Sequence, residues 1–349
     1  QLDQIQFFDG TATYYAVQLS TGELVPGANT STVPTGNSNV QVTTLATAGG
    51  SWTVSGSGIS TLFTFTPTAD NANINVSDIT NRLLGSVTPS RGSVKIVTTN
   101  GTGTQVGNVN ITTAITASNI QSTVYTFTVD AAGDINVSSA INLSGSSIGY
   151  SNVASTNVVL TSSRSINLTS SINTSGSTLS YSGVGVTGSI TLTASERIYS
   201  SSGGTLDAAG GYNPSGSFVR GGDITLSAAS ISLGGSINNR GYNNRSALGD
   251  AGNIGISTTN TATTAGVNDG QVSGVITGGN FTKNGAGTFI LKSVNTYLGS
   301  TTVSAGTLLL GAGNALPTST ALTVDGGAIF DLSSFSPTVG SIAGGGTIR

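Results

Sequence analysis

A short phrase that recurs at intervals of about 30 residues is the feature that most constrains the fold of this 349-residue chain. The phrase has four positions: an apolar residue, then Asn or Thr, then a second apolar residue, then Ser or Thr. An Ile follows soon afterwards. Its copies begin at Ile74, Val109, Ile135, Ile166, Ile190, Ile224 and, more loosely, Ile254. The stretch 60–66 also recurs at 122–128, two periods further along the chain. Such a period, with insertions, is typical of solenoids and other stacked arrays.

Within each copy, apolar and polar residues alternate, as in Ile135, Asn136 and Val137. Alternation of this kind predicts strands that have one apolar face. Stacking successive units buries that face in a continuous core and lets Asn side chains hydrogen-bond along the stacking axis. We therefore predict an all-β fold, a right-handed parallel β-helix (β-solenoid). A string of β-sandwiches is the alternative, but sandwiches have no reason to repeat the same phrase at this period.

The composition excludes several classes of site. The chain has no Cys, His or Met, so disulfides, thiolate or imidazole metal sites and triads that need an imidazole base are absent. The formal net charge of -3 argues against nucleic acid as a partner. We predict no cofactor and no metal site. The longest apolar runs are far shorter than the roughly 18 residues of a membrane-spanning helix.

Residues 1–50 fit the repeat poorly and contain two aromatic pairs. These candidate interface residues are Phe7, Phe8, Tyr14 and Tyr15. A solenoid needs its open end covered, so this segment is predicted to be an N-terminal cap. The alternative is an assembly segment that adds a strand to a neighbouring subunit. Residues 51–268 would then form the repeating solenoid coils.

The motifs change over residues 269–349. The segment reads Lys283-x-Gly285-x-Gly287, then Asn295-x-Tyr297-x-Gly299, then Thr301-x-Val303-x-x-Gly306-x-Leu308. It closely resembles the autotransporter-associated β-strand repeat of type V secreted passengers and other large bacterial surface proteins. One departure is Phe281, which stands where that family usually places Leu. The resemblance implies β-helical coils and export to the cell surface or the extracellular space.

The charged residues do not form a recognisable catalytic pattern. Asp130 and Asp134 flank a glycine turn and are predicted to cap it. Two adjacent pairs of opposite charge, Glu196 with Arg197 and Arg220 with Asp223, are predicted to be solvated turn pairs. The sequence therefore predicts a protein that is not an enzyme.

Residues 211–250 combine aromatic and basic residues in Gly- and Asn-rich stretches. The candidate interface residues here are Tyr212, Arg220, Arg240, Tyr242 and Arg245. Because aromatic and Arg side chains are favoured interface anchors, this region could hold a glycan or a protein, including another copy of the chain. The alternative is a solvated excursion between two coils.

Together these features favour a non-enzymatic extracellular bacterial structural protein that self-associates into a filament, tube or surface layer. The alternative is a monomeric autotransporter-type adhesin passenger that binds surface or host glycans or host proteins. A polysaccharide-degrading β-helix enzyme is the third class. The start at Gln1 fits a mature exported chain from which a signal sequence was removed.

Overall fold

A computed structural model provides the fold. It describes residues 6–8, 13–18, 24–26, 36–86, 91–99, 102–118, 123–145, 153–176, 185–211, 219–241, 251–259 and 270–349. Only the backbone is described in the first three of these ranges.

Three stacked sheets, which we name A, B and C, form a parallel β-helix, as predicted. Sheet A has twelve strands, in spatial order Gly50–Ser55, Leu62–Pro67, Ser93–Val97, Thr126–Ala131, Asn157–Ser162, Ile190–Ala194, Ile224–Ala228, Ile254–Thr258, Phe281–Asn284, Thr301–Val303, Ala321–Val324 and Ser341–Ala343. Sheet B also has twelve, in the order Ala72–Asn75, Val40–Thr43, Val109–Ile111, Ile135–Val137, Ser165–Leu168, Arg197–Ser200, Ser230–Leu233, Gly270–Val272, Thr288–Leu291, Thr307–Leu310, Ile329–Asp331 and Thr347–Ile348. Sheet C has six, in the order Ile115–Thr116, Ile141–Asn142, Ile172–Asn173, Leu206–Asp207, Ile237–Asn238 and Ile276–Thr277.

Each complete coil passes through sheet A, then sheet B, then sheet C. In the coil that contains Thr126–Ala131, the burial of side chains alternates along the strand, so that Phe127 and Val129 point into the core. Equivalent residues of neighbouring coils stack in register, as Phe127 does on Val94 and on Val158. The result is a continuous aliphatic and aromatic core along the helix axis.

The phrase identified in the sequence belongs to two different sheets. Ile135 and Ile166 pair in sheet B, as equivalent positions should. Ile190, however, lies in sheet A and pairs with Val158, whereas the sheet B partner of Ile166 is Ile198. The expected equivalence of Ile166 and Ile190 is therefore wrong, because strands of both sheets alternate apolar and polar residues. The similarity between residues 60–66 and 122–128 also suggests a register that differs from the observed one. It would make Phe63 equivalent to Tyr125, whereas the sheet pairs both Phe63 and Phe127 with Val94.

The N-terminal end of the helix departs from the simple coil. Gly50–Ser55 pairs antiparallel with Leu62–Pro67, and Val40–Thr43 lies between Ala72–Asn75 and Val109–Ile111 in sheet B. The second half of the phrase that begins at Ile74 forms an α-helix, Val76–Leu84, rather than a strand.

Local sequence accounts for this helix. The side chain of Asn75 accepts a hydrogen bond from the backbone N–H of Ser77, which caps the helix N-terminus. Gly85 ends the helix with a φ of 81°. Ile79 and Leu83 are buried, and the guanidinium of Arg82 lies 4.0 Å from the centre of the Trp52 ring. The helix therefore packs its apolar side against the first coils.

The coils shorten towards the C-terminus. Asn136 and Asn167, which are equivalent residues of neighbouring coils, are 31 residues apart. The equivalent residues Thr277 and Thr296 are only 19 residues apart. Sheet C ends at Ile276–Thr277, so the later coils of the described chain consist of sheets A and B joined by turns.

Smaller elements complete the described part of the chain. Gln6–Phe8, Thr13–Gln18 and Leu24–Pro26 form a three-stranded antiparallel sheet. Val153–Ala154 pairs in parallel with Gly185–Val186, and Gly58–Ser60 is a single 3-10 turn.

Candidate binding surface

The aromatic pairs near the N-terminus lie on two adjacent antiparallel strands. Phe7 lies opposite Tyr14, and Gln6 lies opposite Tyr15. The backbone register thus brings the segments of these predicted interface residues together. Their role in an interface remains a prediction.

The second predicted interface is described only in part. Arg220 is exposed and forms the predicted pair with Asp223, with 2.9 Å between Nη2 and Oδ1. Arg240 is also exposed, and its segment adjoins that of Arg220, because a Cβ on Gly221 would lie 2.9 Å from the carbonyl oxygen of Arg240. Tyr212, Tyr242 and Arg245 lie outside the described residues.

Charged residues of neighbouring coils meet where sheet A turns into sheet B. Glu196 pairs with Arg164 of the preceding coil, with 3.4 Å between Oε1 and Nε. The expected pairing of Glu196 with Arg197 stays a prediction. Asp134 accepts a hydrogen bond from the backbone N–H of Ser165 in the next coil at 3.1 Å. Burial raises the pKa of Asp134, and Arg164 opposes this shift. The signal that sequence analysis missed was the spacing of these rare charges, which is close to one coil.

The outer face of sheet B carries a column of amide side chains, one from each of its first five strands. In register order the column contains Asn73, Gln41, Asn110, Asn136 and Asn167. The Nδ2 of Asn136 donates to Oδ1 of Asn110 at 2.7 Å, and the Nδ2 of Asn167 donates to Oδ1 of Asn136 at 2.9 Å. All five residues are partly exposed. This column, which we call the amide row, matches the expected stacking of Asn along the axis.

The amide row ends at an aromatic residue. Tyr199 pairs with Asn167 in sheet B and is also partly exposed. The guanidinium of Arg197 lies 5.9 Å from the centre of the Tyr199 ring. Sequence analysis did not single out Tyr199, because its equivalence to the Asn positions depends on the pairing of Ile166 with Ile198.

The first C-terminal motif places a lysine inside the core. Lys283 is fully buried, and it stacks between Ile256 and Val303 in sheet A. Its Nζ donates to the carbonyl oxygens of Asn284 at 2.6 Å, Gly285 at 2.8 Å and Ala305 at 3.2 Å. The ammonium thus binds the turns of two neighbouring coils together.

The second C-terminal motif fills the place of sheet C. Asn295 accepts from the backbone N–H of Ile276 at 2.8 Å and donates to the carbonyl oxygen of Ala315 at 2.8 Å, so it connects three coils. Tyr297 is fully buried, and its ring stacks on that of Phe281 with centres 5.8 Å apart. The Tyr297 hydroxyl shares a 2.6 Å hydrogen bond with that of Thr301, and burial raises the pKa of Tyr297 well above its usual value.

These buried motif residues agree with a comparison to protein families. Residues 281–310 match the passenger-associated-transport-repeat family. The match confirms the resemblance expected from the C-terminal motifs. It covers Lys283, Asn295 and Tyr297, whose contacts all hold neighbouring coils together.

A curated relative gives a second finding. The chain is 43% identical over 94 residues to the adhesin BmaC autotransporter of Brucella suis biovar 1 (strain 1330). The matching segment is 27% of this chain and spans 3% of the length of that relative. No solved structure matches the chain.

Two absences concern the described residues alone. Among them, no helix is long and apolar enough to cross a membrane. Within the same residues, no group of three or more acidic side chains is placed to hold a metal ion.

Proposed function

We propose that the chain is part of an adhesin passenger that bacteria present at the cell surface or in the extracellular space. The observation that carries the proposal is the 43% identity to a segment of an autotransporter adhesin. The passenger-associated-transport-repeat at residues 281–310 supports the same conclusion and favours a non-enzymatic protein. Type V export and removal of a signal sequence are parts of this proposal.

The fold suits a protein that presents a binding surface at a distance. Sheets A and B each stack twelve strands, and neighbouring strands are about 4.8 Å apart, so the stack is roughly 50 Å long. A continuous core along this length makes the coils a stiff support. The outward positions of the strands carry mainly Asn, Ser and Thr, which can hydrogen-bond to a partner without net charge.

An adhesion assay tests the proposal. The purified chain would be coupled to fluorescent beads, and the beads would be applied to epithelial monolayers and to slides coated with extracellular matrix. We expect retention of these beads above that of beads that carry the thermally unfolded chain. Equal retention of both bead types on every surface would overturn the proposal.

Self-association into a filament, tube or surface layer, which the sequence analysis favours, has less support than the adhesin function. The relative is named as an adhesin, and nothing in its name refers to assembly. In addition, Gly50–Ser55 and the helix Val76–Leu84 lie at the N-terminal end of the stack, where a second copy would have to add its coils. We therefore propose that the passenger acts without head-to-tail polymerisation.

A further inference from the structure

We propose that the amide row of sheet B, together with Tyr199, binds an uncharged polysaccharide. This inference rests on the adhesin function proposed above and names the surface and the class of ligand. It is carried by the hydrogen bonds, exposure and charge of the outer face of sheet B.

The first step concerns the amide donors and acceptors that the hydrogen bonds of the ladder do not use. Each Asn amide has two N–H donors and an oxygen with two lone pairs. In the ladder, Asn136 uses one N–H towards Asn110 and one lone pair towards Asn167. Its second N–H and its second lone pair are not used in the ladder. A sugar hydroxyl both donates and accepts, so this remaining pair of groups is complementary to it.

The second step is preorganisation. The ladder bonds of 2.7 Å and 2.9 Å hold the Asn110, Asn136 and Asn167 side chains in one orientation before any ligand arrives. Side chains that are already ordered lose little conformational entropy on binding. These three amides of the row are therefore a fixed template, whereas isolated surface amides would have to be ordered by the ligand.

The third step is the repeat of the row, which selects a polymer. The side chain of Asn73 already accepts a hydrogen bond from Thr43 and donates to the carbonyl oxygens of two nearby residues, so it does not take part in binding. The other four amides, from Gln41 to Asn167, are spaced by one strand each, about 4.8 Å, and extend over about 15 Å. A linear chain of similar sugar units can present the same hydroxyl groups at successive positions along such a row. A globular protein partner without internal repeats has no comparable regularity, so the row favours a polysaccharide over such a partner.

The fourth step is charge, which selects an uncharged ligand. The strands Val109–Ile111, Ile135–Val137 and Ser165–Leu168 contain no charged residue. The adjoining corner contains two cations, Arg164 and Arg197, the second of which lies beside the Tyr199 ring. The carboxyl groups of Glu196 and Asp134 lie at the same corner and compensate these charges. The partly exposed ring of Tyr199 at the end of the row offers an apolar surface for the C–H groups of a sugar ring.

Binding to immobilised polysaccharides tests the inference. The probes are four uncharged polymers (mannan, galactan, dextran and xyloglucan) and two anionic ones (polygalacturonate and hyaluronate). We expect the intact chain to bind at least one uncharged polymer, and the double variant Asn136→Ala/Asn167→Ala to bind it at least about tenfold more weakly. The matched control is Thr161→Ala/Thr193→Ala, which changes exposed positions of sheet A in two neighbouring coils and should leave the affinity unchanged.

A second variant keeps the test decisive if the double variant does not fold. Tyr199→Ala removes the ring and leaves the ladder bonds intact. It should weaken polysaccharide binding while the circular dichroism spectrum stays unchanged. Tyr199→Phe keeps a ring and should bind as the intact chain does. Equal binding by all variants, or binding to the anionic polymers alone, would overturn the inference. Beads that adhere in the assay above despite Asn136→Ala/Asn167→Ala would overturn this inference and leave the adhesin function standing. Intact chains that do not adhere at all would instead refute the adhesin function.

Discussion

Lys283 lies in a column of aliphatic residues, between Ile256 and Val303, with no exposure to water. Burying an unpaired charge is costly, but here three backbone carbonyl oxygens accept hydrogen bonds from Nζ. Two of those carbonyls, at Gly285 and Ala305, lie in turns outside the strands of sheets A and B. The lysine therefore supplies a donor to turn carbonyls of two coils.

We predict that Lys283→Met destabilises the C-terminal coils. Methionine fills a similar volume but leaves the three carbonyl oxygens without the ammonium donor, which should lower the free energy of unfolding by about 2–3 kcal/mol. Denaturation by urea, followed by circular dichroism, measures the change. Lys292→Met is the control, because Lys292 is exposed. Equal stability of the two variants would show that the carbonyl contacts of Lys283 contribute nothing.

A second residue-scale prediction concerns pH. Burial raises the pKa of Asp207, although its carboxylate accepts hydrogen bonds from the Ala209 N–H and from Nδ2 of Asn238. Because the folded-state pKa lies above the unfolded value, this group favours the folded state below pH 3.8, and that contribution is lost as the pH rises. Asp207→Asn keeps an oxygen that can accept both bonds and removes the charge. It should raise the melting temperature at neutral pH, and the gain should vanish below pH 3.8; a constant gain at all pH values would contradict this account.

At the scale of elements, glycines set how closely neighbouring coils approach before several strands of sheet A. A Cβ on Gly222 would lie 2.0 Å from the carbonyl oxygen of Gly188, and a Cβ on Gly252 would lie 2.0 Å from that of Gly222. Both distances are far below van der Waals contact. The corner between sheets C and A therefore permits only glycine at these stacked positions.

Substitution at this corner gives the third prediction. Gly222→Ala and Gly252→Ala should each lower the free energy of unfolding by about 1–3 kcal/mol, because the coils must move apart. Gly255→Ala is a control in the adjacent strand, since nothing lies within 4 Å of its Cβ position. It should leave stability unchanged or raise it slightly. Thermal unfolding of the three variants compares them, and similar losses in all three would refute steric exclusion at the corner.

The sequence identified where strands occur, but it did not assign each strand to the correct sheet. Alternation of apolar and polar residues identifies a strand, but it is the same in sheets A and B, so Ile190 was grouped with Ile166 although they lie in different sheets. A slip by an even number of positions preserves the alternation and is equally invisible. The segment after Asn75 shows the opposite case, because a capping residue and Gly85 specify a helix locally.

The candidate surface was predictable to a similar degree. The recurrent Asn of the phrase indicated the ladder of Asn110, Asn136 and Asn167, since one side chain per coil must stack. Tyr199 could not be placed at the end of that row without the register of Ile198. The pair of Arg164 and Glu196 was also missed, because it joins different coils and no short-range spacing indicates it. The division of the chain at residues 50 and 268 stays a prediction.

At the scale of the whole molecule, the two ends of the stack differ. The N-terminal end carries the antiparallel strand Gly50–Ser55 and the helix Val76–Leu84, neither of which continues the parallel coil. At the other end, the strands Ser341–Ala343 and Thr347–Ile348 are exposed, including the side chains of Ile342 and Ile348. A strand edge can recruit another strand of matching direction. In sheet A, the edge strand at the C-terminal end is parallel to its neighbour, whereas the edge strand at the N-terminal end is antiparallel to its neighbour.

This asymmetry predicts that the purified chain forms separate rods rather than filaments. Head-to-tail growth of complete coils needs a parallel edge strand in both sheet A and sheet B at each end, and the antiparallel pairing of Gly50–Ser55 with Leu62–Pro67 interrupts it in sheet A. Electron microscopy at several concentrations should show isolated particles whose stacked coils are roughly 50 Å long, and sedimentation velocity should give a mass near 34.5 kDa.

A chain that lacks residues 1–30 tests whether this segment is a cap or an assembly element. If those residues are a cap, it should unfold at a lower temperature and remain monomeric. Ordered filaments of the intact chain that disappear on this deletion would establish the segment as an assembly element and refute the prediction.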